Sequence, residues 1–175
     1  MKVNIGPICD MPGGVVEFNG RQEAPNLQTG LVFTAPVAVN GSVTNTGEGF
    51  LVKALLSFQY KVNCDRCLKE FDRAQETEVV EEFMAGPVEP GEDDLFFRFS
   101  GDIIDLKDCI SENVLFALPM SFICTPECKG LCPECGKDRN IESCTCVPQQ
   151  LNPQFEKLRN LLSIEGGGPN GKSKK

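Results

Sequence analysis

The chain has 175 residues, a formal charge of −8, ten cysteines and no histidine. That length suits one domain with a real core and a small attached module. The missing histidine removes the commonest general base, every Ser-His-Asp or Cys-His arrangement and the His-containing zinc hydrolase sites. No stretch approaches the roughly 18 consecutive apolar residues of a membrane span. The charge is uneven, with 9 basic and 19 acidic side chains over residues 1–120 against 8 and 6 over 121–175.

In chain order, Met1 to Asp10 shows no continuous apolar run of the signal-peptide kind, which reads as a cytoplasmic protein with reduced cysteines. Residues 1–28 are punctuated by Pro7, Pro12, Gly13, Gly14 and Pro25, so one or two edge strands at most are expected there. From Leu31 the pattern turns to β: Leu31 to Val39, a hairpin turn at Asn40-Gly41, then Ser42 to Thr44 and a loop at Gly47 to Gly49. Phe50 to Val62, Thr77 to Phe83 and Leu95 to Phe99 continue it, giving an antiparallel sheet joined by short turns. Eight acidic residues and no basic one lie between Glu76 and Asp94, a run that repels phosphate and suits a basic protein. Asp105 is placed to cap a helix over Leu106 to Ala117, with Leu106, Cys109, Ile110, Val114 and Ala117 on its apolar face and Pro119 ending it.

Six cysteines then fall in 23 residues, from Cys124 and Cys128 through Cys132-Pro133-Glu134-Cys135-Gly136 to Cys144 and Cys146. Thiolates two residues apart can share one ion while the turn's N–H groups bond the sulfurs, so Cys132 and Cys135 are expected ligands of a structural Zn2+. Cys144 and Cys146 are the first candidates to complete the tetrahedron, with Cys124 and Cys128 as alternates. An iron–sulfur cluster and disulfides are the competing readings of such thiols. Pro153 opens a short terminal helix with Phe155, Leu158, Leu161 and Leu162 in a stripe, followed by a basic tail over 164–175.

A separate pair, Cys64-Asp65-Arg66-Cys67-Leu68, sits where the long strand gives way to the charged segment Lys69 to Arg73. It reads as a redox pair, as a half-site donating two ligands to the distal cysteines, or as a turn in which Arg66 is the working residue. Redox chemistry of the thioredoxin kind wants a helix N-terminus in a βαβ unit, which this segment lacks.

C-x-R-C-L at a strand end, Phe116-Ala117-Leu118-Pro119 at a helix end, and Cys128-Lys129-Gly130-Leu131-Cys132-Pro133-Glu134-Cys135-Gly136 with a trailing C-x-C resemble the YceD family, over roughly residues 30–163. The chain is similar to that family's cysteine-rich branch. The resemblance implies a role in accumulation of large-subunit ribosomal RNA in bacteria. It also implies that Cys64 and Cys67 are not needed to finish the distal site, because other branches keep C-x-R-C without it. Where relatives often have Asn-Leu-Asn, this chain has Asp138-Arg139-Asn140-Ile141.

Composition, patterning and resemblance together predict an α+β protein. Residues 1–120 form an acidic, antiparallel β-rich domain, barrel-like or meander, with one packed helix near 106–117. A zinc-knuckle or ribbon module follows over 121–150, a helix over 151–163 and the tail over 164–175. The expected activity is not enzymatic and no residue is assigned to catalysis. The resemblance implies partners among large-subunit rRNA, its precursor and a basic ribosomal protein, with no small-molecule substrate and no membrane. Arg66, Lys129, Lys137 and Arg139 are the candidate contacts to RNA or a partner. A zinc-dependent protein adaptor is the alternative function, and a metal-dependent nuclease or thiol oxidoreductase a more distant one, with Asp93 and Asp94 as its carboxylate pair.

Overall fold

The computed structural model describes residues 1–26, 30–86 and 96–146. Its described part is β-rich with one α-helix: β1 (Lys2–Asn4), β2 (Val15–Gln22), β3 (Val32–Phe33), β4 (Val37–Asn45), β5 (Phe50–Asn63), β6 (Glu70–Ala85), β7 (Phe97–Phe99), β8 (Ile103–Asp105) and α1 (Lys107–Ala117). The chain divides into two compact units at Leu131 and Cys132. The expected loop over Gly86 to Gly91, the Asp93-Asp94 pair, the helix at 151–163 and the tail fall wholly or mostly outside the described residues.

The main sheet of the first unit runs β2-β4-β5-β6-β7, with β3 pairing β5 beyond the end of β4. Alternation in β4 and β5 explains the sheet: Val37, Val39, Val43, Val52, Leu56, Phe58, Tyr60 and Val62 point to one face and are buried, while Lys53, Gln59 and Lys61 point away. Against that face packs α1, with its N-cap residue Leu106 and its own Cys109, Ile110 and Val114 all buried. Burying a side chain of that size contributes about 1.5–3 kcal/mol, so the helix is held by its apolar stripe. Asp105 lies one residue before the N-cap, and its Oδ1 accepts the Lys107 N–H at 3.1 Å. The helix stops at Leu118, whose backbone is already extended ahead of Pro119.

Three expectations are corrected. Asn40 and Gly41 form no hairpin turn; they lie mid-strand in β4, with Gly41 opposite Ala54 of β5. A Cβ on Gly41 would stand 2.3 Å from the Lys53 carbonyl oxygen and 2.7 Å from the Ala54 Cβ, so the glycine answers to close strand approach. The turn from β4 to β5 is made instead at Thr46 to Gly49, where Thr46 bonds both backbone groups of Gly49. The single strand expected from Leu31 to Val39 is two, β3 and β4, separated around Pro36. The sheet is also not wholly antiparallel, because β7 runs parallel to the end of β6, pairing Phe83 with Phe97 and Ala85 with Phe99.

The N-terminal stretch contributes more than edge strands. β1 pairs antiparallel with β8, and Val3, Ile5 and Ile8 are buried in the core. Asn45, the one buried polar side chain among the described residues, fixes this stretch to the sheet. Its Nδ2 donates to the carbonyls of Ile8 (2.7 Å) and Cys9 (2.9 Å), while its Oδ1 accepts the Gly47 N–H at 2.8 Å.

Candidate metal centres

The end of β5 delivers Cys64 and Cys67 to the segment that follows α1. Cys64 N–H donates to the Lys69 carbonyl (2.9 Å) and Leu68 N–H to the Cys64 carbonyl (2.8 Å), closing a tight loop around the two thiols. Leu68 sits there at φ 60°, a left-handed conformation that costs a non-glycine residue free energy. Asp65 ties the loop to the post-helix segment: its N–H donates to the Phe122 carbonyl, and its Oδ2 accepts from Phe122 N–H (2.7 Å) and Ser121 Oγ (3.1 Å). Arg66 reaches across with Nη1 donating to the Cys128 carbonyl at 3.1 Å, and its own carbonyl accepts the Leu131 N–H at 2.9 Å. Gly130, at φ 68°, packs directly on the Arg66 backbone.

The result is a group of four thiols, Cys64, Cys67, Cys124 and Cys128, whose Sγ atoms all lie within 4.8 Å of one another. Cys64 and Cys128 are 3.9 Å apart, Cys67 and Cys124 3.7 Å, and all four are free thiols. A metal–sulfur bond of about 2.3 Å in a tetrahedron places neighbouring sulfurs about 3.8 Å apart, whereas a disulfide needs about 2.05 Å. Three of the thiols are buried, against Phe71, Ile123 and Leu131. Burial works to raise the Cys64 thiol, but the N–H groups of Cys124, Cys67 and Arg66 bring it down to about 6. Cys67 has a Lys69 N–H in its favour, yet burial and the crowd of neighbouring thiols push it up to about 12.

The second unit carries another four-thiol group, Cys132, Cys135, Cys144 and Cys146, also within 4.8 Å of one another. Cys132 N–H donates to the Lys137 carbonyl (2.8 Å) and Gly136 N–H to the Cys132 carbonyl (2.9 Å), with Gly136 at φ 71°. N–H groups of Cys135 and Glu134 hold the Cys132 thiol at about 6. The Asp138-Arg139-Asn140-Ile141 stretch turns on Asp138, whose Oδ1 accepts the Asn140 N–H (2.8 Å) and whose carbonyl accepts the Ile141 and Glu142 N–H groups. Lys137 pairs with Glu142 at 3.2 Å. Cys135 and Cys146 are exposed, Cys144 is half-buried and Cys132 buried.

The two groups differ from the sequence expectation in one respect. Cys124 and Cys128, the alternates for the distal set, gather instead with Cys64 and Cys67, and the Arg66 side chain is engaged in holding that loop closed. Eight of the ten cysteines thus fall into two sets of four, and each set could hold a metal ion, with a donor chemistry compatible with zinc. Cys109, in contrast, is a core residue on α1, and burial pushes its thiol up to about 12.

Comparison with known proteins settles the lineage. The family described as large ribosomal RNA subunit accumulation protein YceD matches residues 52–162. The chain belongs to the YceD family. An uncharacterized protein of Mycobacterium tuberculosis is 28% identical over 94% of this chain and 83% of its own length. The uncharacterized protein YlbN of Bacillus subtilis is 26% identical over 93% of this chain and 96% of its own. A maize protein named large ribosomal RNA subunit accumulation protein YCED homolog 1, chloroplastic, is 34% identical over 34% of this chain and 21% of its own length. No solved structure matches the chain. The YceD match takes in both thiol groups, since Cys64 and Cys146 lie within it.

Proposed function

We propose that this YceD-family chain is a non-enzymatic ribosome-biogenesis factor that supports accumulation and maturation of large-subunit ribosomal RNA. The observation that carries the reading is the family match, together with the names of the plant relatives as large ribosomal RNA subunit accumulation proteins. The chain would act in the cytoplasm; among the described residues no helix is long and apolar enough to cross a membrane. A structural Zn2+ on Cys132, Cys135, Cys144 and Cys146 would fold the second unit into a knuckle. Closed all-sulfur sites leave no position for substrate, so the ion would supply order rather than chemistry.

Two surfaces support two partners. Lys137 and Arg139 are exposed on the knuckle, and Lys129 and Arg66 on the first unit, where cations and turn N–H groups suit phosphates. On the outward face of β6, Glu70, Asp72, Glu76, Glu78 and Glu82 are all exposed, a single-sign row that repels phosphate and suits a basic ribosomal protein. Only Glu70 and Asp72 meet a cation there, Lys61, among the described residues. In the experiment, the protein is depleted in its bacterial host and the ratio of large to small subunits is measured by gradient sedimentation. A fall in large subunits with loss of their rRNA is expected, and an unchanged ratio would sink the reading. Purified protein incubated with precursor rRNA and Mg2+ should leave the RNA intact.

A further inference from the structure

We propose that Cys64, Cys67, Cys124 and Cys128 form a second, independent metal site, taking a zinc-type divalent cation and retaining it far longer than the distal set. The inference stands apart from the ribosomal reading, because it rests only on the geometry and burial of the two thiol loops. The first support is that the two C-x-x-C loops share one backbone pattern. In each, the first cysteine's N–H donates to the carbonyl five residues on, and the N–H four residues on returns to the first cysteine's carbonyl. In each, that fourth residue is left-handed, Leu68 at φ 60° and Gly136 at φ 71°. A leucine held in that conformation while 65% exposed has no burial to repay its strain. A loop clamped on an ion accounts for it.

The second support is the sulfur spacing of 3.7 and 3.9 Å, the edge length of a tetrahedral thiolate shell. The four ligands come from opposite ends of a long loop, two from the β5–β6 connection and two from the segment after α1, so the ion would staple the sheet to the post-helix chain. Metal bound only by the folded state stabilises it, and most when the ligands are far apart in sequence.

Unequal retention follows from access. Removal of a thiolate-bound ion by a chelator proceeds through attack on the ion or a protonated sulfur. The first set buries Cys64, Cys67 and Cys128, whereas the distal set exposes Cys135 and Cys146.

The test uses the full chain purified without chelator. Elemental analysis should give two zinc ions per chain. A chromogenic chelator should withdraw them in two phases differing at least tenfold in rate, the fast phase absent from Cys135→Ser and the slow phase absent from Cys64→Ser. Because Cys64→Ser could unfold, the unmutated protein is also pulse-alkylated during chelation and mapped by mass spectrometry. Labelling of Cys135 and Cys146 should precede that of Cys64 and Cys67. One ion per chain, iron–sulfur absorbance, or simultaneous release and labelling of both sets would overturn the proposal.

Discussion

The Sγ atoms of Cys67 and Cys124 lie 3.7 Å apart although 57 residues separate them. The intervening chain is β6, β7, β8 and α1. The site therefore exists only when the sheet and helix are assembled, and its thiols report on the integrity of the whole first unit.

Gly130 and Leu68 make opposite demands on the loop beside those thiols. Gly130→Ala would put a Cβ 2.9 Å from the Arg66 carbonyl oxygen at φ 68°, and should cost at least about 1 kcal/mol. Leu68→Gly relieves the strain of a left-handed leucine and loses little burial, so a gain of about 0.5–1 kcal/mol is expected. Denaturant titration of both variants checks the pair of signs.

Asn45→Ala should be among the most damaging polar substitutions. It strips partners from the Ile8 and Cys9 carbonyls and the Gly47 N–H at once, two of those bonds at 2.7 and 2.9 Å. A loss of about 2–3 kcal/mol is expected, with faster amide exchange in residues 5–14 as the accompanying sign.

Gly41→Val tests the corrected strand assignment. A hairpin-turn glycine would tolerate other residues at moderate cost, but a Cβ here meets the Lys53 carbonyl oxygen at 2.3 Å. Overpacking of about 1–3 kcal/mol and a lowered melting temperature are expected from thermal denaturation followed by circular dichroism.

Cys109 gives stability a pH dependence of known sign. Burial first, then Glu81 and Glu112, raise its thiol from an ordinary value of 9.0 to about 12. The folded state thus prefers the neutral form, so the contribution is complete below pH 9 and is lost as pH rises from 9 toward 12. Wild-type protein should lose more stability between pH 8.5 and 10.5 than Cys109→Ala, measured by urea unfolding at each pH. Equal losses would show that Cys109 carries none of this dependence.

Much of this architecture was legible because local rules and burial agree. The 3.6-residue spacing of Leu106, Ile110 and Val114 marks α1, and the alternation along Phe50 to Val62 marks β5, since both elements bury one face only. Asn40-Gly41 misled because the dipeptide that favours a turn also suits a strand crossing close to Ala54, and only the neighbouring strand decides between them. The parallel β6–β7 pairing was unreadable in a three-residue strand. For the thiols, spacing identified Cys132 and Cys135 as a pair, but the grouping of Cys64 and Cys67 with Cys124 and Cys128 depends on where β5 and α1 end in space. The signal that was available is the shared C-x-x-C loop followed by a left-handed residue, disguised in the first loop by leucine where the second has glycine.

The long gap between Cys67 and Cys124 sets a schedule during synthesis. At about 5–20 residues per second, the first two thiols spend roughly 3–12 s outside the translating ribosome before the last two emerge to join them. Through that interval they are an open pair of sulfurs, available to copper, peroxide or a stray disulfide partner. If the proposed site takes zinc, the nascent chain is safest where zinc and reductant are both plentiful, and starvation of either should strike newly made molecules before it touches those already folded.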